Sequence, residues 1–577
     1  MGHRGPDGSA LLWSAAVPYE SPAPTSRAAA FQALKSLEHE VDLVIVGGGI
    51  NGAGIARDAA RRGLKVVVVE QNDLAFGTSS RSSKLIHGGL RYLEQYRVHL
   101  VFESVTERQR LLKCAPHLVA PLGFLFPVYE GDKQPLAMIR AGMWLYDGLA
   151  LFQHERHRTL DPSECKALVP QLDLTGLTGA PLYWDCATDD ARLTLETAID
   201  ATLHGAIICP WTKAITFERG AGQRIRSVVV KCAQSGEEVR IKTRGVINAT
   251  GPWADDTLET SRKDSPPLLR PTKGVHIVID RARLNLPHAV VCRHPDDSRV
   301  LFAIPWGDRT YVGTSDTDEQ VDPSEVRASR ADVRYLLRAV ESYFPSANVS
   351  EDDVIATWAG LRPLISEGDS AQSESEVSRE HKIFVGDGGM VTVAGGKLTT
   401  YRKMAAEVVD AAVQELKSSA LLTIELSASE TETSPLPGGV GFDGSEGQRG
   451  ALAYEITKLG IESDIATHLV STYGSRAIEV ARLVKKDPSA GARLIEGRPE
   501  IVAQVDFAIQ QELAGSATDV LCRRTQLSLR DHQNGLGALD AVVARMQSAL
   551  GWNSERANEE KARYRHEVAL QTAWRNE

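Results

Sequence analysis

The first strongly patterned segment is Val41–Val46 (VDLVIV), a short, apolar, β-branched run of the kind found in a buried parallel strand. It is followed by Gly47-Gly-Gly-Ile-Asn-Gly52, by a helical pattern from Ala53 to Arg62 that stops at Gly63, and by a second strand-like run, Lys65 to Val69, closing on Glu70. These pieces predict a complete strand–turn–helix–strand unit of about 30 residues. Strand-like and helix-like segments then alternate to about Leu426 without a clean boundary. Residues 427–450 are polar and rich in Gly, Pro, Ser and Glu, which predicts a linker. Beyond it the period becomes helical: Ile465, Leu469 and Tyr473 recur at i, i+4 and i+8 before Gly474, and Val542, Met546 and Ala549 form a similar stripe before Gly551. No repeat of 20–50 residues is present, which argues against a solenoid. The Pro-, Ser- and Ala-rich start predicts a loosely ordered tail over residues 1–40. The expected organisation is that tail, an α/β body over 41–426, the linker at 427–450 and a helical cap domain over 451–577.

Composition narrows the class. At 577 residues, with 42% apolar and 24% charged residues, the chain is ordinary globular material, neither disordered nor fibrous. A formal charge of -10 argues against nucleic-acid binding as the main task. The seven cysteines are scattered, with no CxxC, so no disulfide framework, zinc knuckle or cysteine-held cluster is expected, and no other metal-ligand spacing is visible. There is no run of 18 apolar residues and no apolar h-region near the N-terminus, so an intracellular chain without a spanning helix is expected. The mostly apolar segment Pro135–Phe152, with Trp144 and Tyr146, reads first as a buried core helix and second as a helix lying in a lipid headgroup boundary.

The glycine cluster carries the first candidate chemistry. It follows a strand, opens a helix and is followed by an acid at the end of the next strand, the context that makes GxGxxG a dinucleotide site. Gly47 permits the tight turn, Gly49 the approach of the pyrophosphate, Gly52 close helix–strand packing, and the helix N-terminus favours phosphate charge. Glu70 is spaced to accept from a ribose hydroxyl and disfavours a 2′-phosphate, leaving FAD or NAD. Downstream, the hydroxyl-rich loop Gly77–Gly89 and two further strand–glycine elements, Gly245–Gly251 and Met390–Gly396, bring the chain back to one site. Such returns suit a long cofactor with two separately walled ends, which favours FAD.

With those motifs in place, the chain resembles the FAD-dependent sn-glycerol-3-phosphate dehydrogenases of the quinone-linked, aerobic type. The resemblance runs from about Val41 to the C-terminus and rests on GGGINGAGIARDAA (47–60), GTSSRSSKLIHGGLRYLEQ (77–95), DDARL (189–193), NATGPW (248–253) and KGVHIV (273–278). It also rests on AIPW with VGTSDT (303–317), GLRPL (360–364), AGGKLTTYRKMA (394–405) and DVLCRRT (519–525), the last resembling the family's cap domain. Two departures are visible: GTSDT where GTTDT is expected, and about 40 extra N-terminal residues.

The resemblance implies an FAD-binding Rossmann-like domain interleaved with a mixed-sheet substrate domain, plus a C-terminal all-helical domain. It implies oxidation of glycerol 3-phosphate to dihydroxyacetone phosphate, with electrons passed to a quinone from the cytoplasmic, inner face of the cell membrane. Peripheral membrane contact is then expected, and a homodimer is compatible with it. Residues expected at FAD are Gly47, Gly49, Asn51, Gly52, Glu70, Thr78, Ser79, Ser83, Lys84, His87, Gly88, Gly251, Gly396, Lys397, Leu398 and Thr399. By resemblance Arg91, Tyr92, His276, Arg362, Arg379 and Lys397 line the substrate pocket.

A phosphate dianion needs fixed cations, best supplied by arginine forks. Arg402 is a further candidate, with a solvated surface charge as the alternative. The catalytic expectation falls on His276, Arg362 and Lys397. A neutral histidine suits removal of the carbinol proton, and Arg362 or Lys397 suits the developing alkoxide charge. His87, inside the flavin loop, is expected to orient the ring or the loop. Three other readings stay open: an oxidase that uses oxygen, an amine or amino-acid oxidase, and a flavin- or nucleotide-binding regulator without turnover.

Overall fold

The computed structural model describes residues 23–89, 97–150, 155–263, 265–318, 321–366 and 380–577. Two sheets organise them. In the first, the strands run in the order Lys382–Val385, Met390–Ala394, Glu238–Asn248, Val41–Val46, Val66–Val69, Ile207–Cys209. Along this path all neighbours are parallel except the antiparallel edge pair Lys382–Val385 and Met390–Ala394, and Ile225–Cys232 branches off antiparallel to Glu238–Asn248 with Thr212–Arg219 beyond it. Every residue of Val41–Val46 and Val66–Val69 is buried, which is why these strands read as continuous apolar runs rather than alternating ones. The Ile50–Arg61 helix packs against Asp190–Leu203 and Tyr401–Ser418.

The second sheet is mixed. Its Leu269–Asp280 strand pairs antiparallel with Arg309–Gly313 and with Val354–Ile365, while Val119–Leu125 and Leu177–Thr188 lie farther along the same sheet. Strand alternation divides Leu269–Asp280 between two environments. Val275, Ile277 and Ile279 enter a core with Val333, Leu336 and Val340 of the Arg330–Tyr343 helix, whereas Val278 belongs to a second core with Tyr311 and Trp358. The strands of the two sheets alternate along the chain, so the two halves of the body are interleaved. After Ser445 the described chain is almost entirely helical. The predicted helix ends hold: Ser463–Tyr473 stops at Gly474 and Leu539–Leu550 at Gly551, both glycines at positive φ.

Two expectations are corrected. Residues 27–35 of the supposed loose tail form a helix whose Ala30 and Leu34 are buried in the first core, and Arg27 lies over the Trp211 ring. Their apolar stripe is short but has a sheet edge, Ile207–Cys209, to cover. The supposed linker is likewise packed. Thr431, Leu436 and Pro437 are buried, Leu436 N donates to Cys114 O at 2.7 Å, and Arg57 donates to the carbonyls of Thr431 and Ser434 at 3.3 and 2.7 Å. Polar composition marks irregular backbone there, and the body supplies hydrogen-bond partners to part of it.

Candidate active site

The parallel strands end side by side, so their C-terminal turns converge where open α/β sheets bind ligands. Val46↔Val69, Val46↔Asn248 and Asn248↔Thr392 are in register, which brings Gly47, Glu70, Gly251 and Gly396 to one edge although they span 350 residues of sequence. Together they wall a cavity of about 730 Å³. Of the expected cofactor residues, Gly47, Gly49, Asn51, Glu70, Thr78, Ser79, Gly251, Gly396, Lys397 and Leu398 line it. Gln71, Asn72 and Trp253 also line it and were not singled out from sequence, although the first two follow Glu70 and Trp253 closes the NATGPW motif.

The turn geometry fits an anion. Gly47 has φ +110°, and a Cβ on Gly52 would lie 1.9 Å from the Gly47 carbonyl oxygen, so both positions demand glycine. The helix that follows carries no side-chain cap from its N-cap Gly49, while Ile50 N donates to Ser79 Oγ at 2.9 Å. Its first turn therefore presents N–H groups and positive dipole to the cavity. Glu70 accepts from Gly48 N at 2.7 Å and Asn72 N at 2.8 Å, and burial raises its pKa. It fixes the turn through its carboxylate while lining the cavity.

The loop is tied to the rest of the body by further bonds. Thr78 donates to Leu361 O at 2.6 Å, Gly88 N to Tyr146 Oη and Asp185 Oδ1 at 3.1 Å each, and His87 N to Thr399 Oγ1 at 3.1 Å. Lys84 is buried and pairs with Asp190 at 2.6 Å, so its ammonium holds the loop onto the DDARL helix rather than facing the cavity.

Adjacent in sequence to the cavity-lining Ser82 and Pro363, Ser83 and Arg362 join a polar cluster built on the second sheet. His276 is buried and stacks on Trp358, its cross-strand partner, with ring centroids 4.6 Å apart. Its Nε2 sits 2.9 Å from Ser83 Oγ, and its buried Nδ1 has no hydrogen-bond partner among the described residues. A Cβ at Gly313, directly opposite, would fall 2.1 Å from the imidazole, so glycine is what admits the ring. Burial, then the Arg362 and Lys84 charges, hold the His276 pKa well below its ordinary value, so the ring is neutral at physiological pH. Arg362, opposite Thr272, donates to Asp316 at 2.6 Å, Thr314 Oγ1 at 3.1 Å and Ser315 O at 3.2 Å. Lys397 Nζ lies 3.4 Å from Ser104 Oγ.

Neighbouring cations behave differently. Lys273 points to the other face of its strand and pairs with Asp332 at 3.1 Å. Arg402 is neither a phosphate cation nor a surface charge: it is buried and clamps Glu107 with two 2.7 Å bonds. Arg91, Tyr92 and Arg379 lie outside the described residues. Asp316 and Trp358 escaped the sequence reading. Asp316 stands in the VGTSDT stretch, and a carboxylate within that motif was the available signal.

Comparison with known proteins fits this arrangement. Residues 42–402 match the family described as FAD dependent oxidoreductase, and residues 429–557 match the C-terminal domain of alpha-glycerophosphate oxidase. The chain is 38% identical over 535 residues to the aerobic glycerol-3-phosphate dehydrogenase of Staphylococcus epidermidis, covering 92% of this chain and 94% of that protein. It is 38% identical over 520 residues to that of Staphylococcus aureus, covering 89% and 92%. Among solved structures, the glycerol-3-phosphate dehydrogenase from Bacillus halodurans complexed with FAD is similar at a TM-score of 0.79 and 30% identity, over 95% of this chain and 98% of that one. L-proline dehydrogenase from P. horikoshii, at 18% identity and a TM-score of 0.51 over 70% of this chain and 99% of that one, shares the fold. On these matches, this chain belongs to the FAD-dependent, aerobic-type glycerol-3-phosphate dehydrogenase family.

Proposed function

We propose that the enzyme oxidises sn-glycerol 3-phosphate to dihydroxyacetone phosphate and passes the electrons to a membrane quinone. The observation that carries this reading is that a buried histidine, whose Nδ1 has no hydrogen-bond partner among the described residues, and Arg362, whose charge helps depress its pKa, lie on adjacent strands next to the cavity-lining Pro363. When bound, FAD supplies the hydride acceptor. Arg362 binds the phosphate, with Asp316 keeping the guanidinium oriented between turnovers. His276 takes the carbinol proton on Nδ1 as the C–H hydride departs and the carbonyl forms, while Ser83 holds Nε2. The arriving dianion offsets the Arg362 field that depresses the histidine, so His276 becomes a stronger base when substrate is present. Lys397, in the cavity wall, stabilises the developing alkoxide.

Two neighbouring helices support the membrane half of the reading. No helix of the described residues is long and apolar enough to cross a bilayer. Val98–Cys114 nevertheless exposes Phe102 at 48%, and Leu136–Leu149 exposes Met138 at 58%, Trp144 at 54% and Leu145 at 49%. Met143, Tyr146 and Asp147 on the second helix are buried. The Pro135–Phe152 segment, as far as it is described, therefore has a core face and an apolar outer face, the form of a helix that rests in a headgroup boundary at the inner face of the membrane.

The test is the visible spectrum of the purified holoenzyme mixed anaerobically with sn-glycerol 3-phosphate. Bleaching of the oxidised-flavin band supports the substrate, and rapid return of the band with a quinone analogue, but not with oxygen, supports the acceptor. A band that stays oxidised refutes the substrate, and faster return with oxygen refutes the quinone.

A further inference from the structure

The mechanism uses nothing beyond residue 445, yet the helical C-terminal region reaches the wall of the cofactor cavity. We propose that Arg523 and Arg524 are positioning residues for FAD, acting through Asp73 to hold the segment Glu70–Phe76 against the phosphate-binding turn. Asp73 is fully buried and lies three residues beyond Glu70. Arg523 Nε and Arg524 Nη1 both donate to its Oδ2, and Arg524 Nη2 donates to Oδ1 at 3.0 Å. These contacts join residues 450 and 451 positions apart.

Two consecutive residues of an α-helix point about 100° apart and do not ordinarily meet one carboxylate. Here Val520–Arg524 is a π-turn, whose wider winding lets both guanidiniums converge. The turn is anchored from its own side. Arg523 Nη2 donates to Asp519 at 3.0 Å, and Arg524 Nη2 to Glu512 O at 2.7 Å. Arg192 of the DDARL helix binds Glu512 at 2.6 Å, and Gln526 donates to Asp189 at 2.7 Å. Burial opposes the Asp73 charge, but Arg524 and Arg523 keep its pKa below the usual carboxylate value, so the ion pair persists through the neutral range.

What the clamp holds is the cavity wall. Glu70, Gln71 and Asn72 line the cavity, and Asn72 N is bound by the Glu70 carboxylate. Ala75 N donates to Gly48 O at 3.1 Å, and a Cβ on Gly48 would meet Leu74 Cδ2 at 2.7 Å, so the segment lies directly against the glycine turn. A second route runs through Phe76. Its ring has Arg81 and Arg523 at 5.2 and 5.9 Å and packs 6.3 Å from Trp253, itself a cavity residue. Releasing Asp73 therefore loosens the wall at the end of the cavity where Glu70 sits.

The experiment follows flavin loss from the holoenzyme. Asp73→Asn and Arg523→Lys are compared with the unchanged enzyme by the rise of free-flavin fluorescence after dilution, and apoprotein affinity for FAD and for ADP is titrated separately. The expected result is at least tenfold faster FAD release, with weakened binding of both FAD and ADP. The KM for substrate at saturating FAD should stay within twofold. If Asp73→Asn does not fold, Arg523→Lys, which keeps the charge but loses the fork, carries the comparison. An equal drop in the unfolding temperature of apo and holo forms with unchanged FAD release assigns the clamp to stability alone and overturns the proposal. So does unchanged ADP binding.

Discussion

Replacing Arg362 tests the substrate half of the site, and its size can be worked from the structure. A guanidinium and one phosphate charge about 4 Å apart attract by about 4 kcal/mol at an effective dielectric constant of about 20. Part of that is already committed, because Arg362 faces Asp316 at 2.6 Å and donates to Thr314 and Ser315. Charge-assisted hydrogen bonds contribute about 1.5–3 kcal/mol net, so Arg362→Gln should cost about 2–3 kcal/mol of substrate binding, roughly 30- to 150-fold in KM. Asp316→Asn bears on the same balance with the opposite sign. It removes a like charge from beside the phosphate and should lower KM several-fold. The double variant, with two neutral amides, should fall between the singles and deviate from additivity, as expected for groups in contact. Anaerobic reduction of the flavin band at increasing glycerol 3-phosphate gives the apparent affinity for each, and the unreduced spectrum reports that FAD is retained. A KM within threefold of the unchanged enzyme for Arg362→Gln, with flavin bound, would remove this arginine from the phosphate site.

Three further outcomes are expected. His276→Asn should retain FAD and slow anaerobic bleaching by about 10²–10⁴-fold, the range lost with a general base, and an unchanged rate in stopped flow would refute that role. His117 is buried with no partner for either ring nitrogen among the described residues, and burial and then Arg192, Arg449 and Arg476 hold its pKa well below the ordinary value, as for His276. A histidine with a depressed folded pKa adds stability that is present above its unfolded pKa near 6.5 and is lost as pH falls toward the folded value. Each contributes a slope of about 1.4 kcal/mol per pH unit. His117→Asn should therefore flatten the rise of the unfolding free energy between pH 5 and 6.5, measured by denaturant titration, and an unaltered slope would count against the assignment. Replacing Trp144 and Leu145 together by Asp should reduce co-flotation with anionic lipid vesicles while leaving flavin reduction by substrate intact; undiminished flotation would move the membrane contact elsewhere.

The glycine turn at the cavity edge was legible because its signals are local. A strand, a glycine turn, a helix and an acid within 30 residues fix their own geometry, so Gly47, Gly49 and Glu70 could be read in order, and the helix stops at Gly474 and Gly551 were equally plain. The proposed substrate half depends on parity and distance. Lys273 and His276 lie three residues apart on one strand, so period-two alternation sends them to opposite faces, and pairing with the Val354–Ile365 strand decides which face meets Arg362. Arg402 looked like a free cation beside the glycines until Glu107, 295 residues earlier, claimed it.

The sequence by itself determined the dinucleotide turn, the succession of strands and helices, the helical C-terminal region and, through its motifs, the family. Only the tertiary structure decided which charges are spent on one another and which face the cavity. It also showed that the polar stretch near residue 430 and the helix at 27–35 are packed, and that two arginines near the far end of the chain grip an aspartate beside Glu70. The reason is physical: backbone periodicity and turn chemistry act over a few residues, whereas a buried charge must find its counter-ion wherever folding places one, and sequence distance carries no record of that partner.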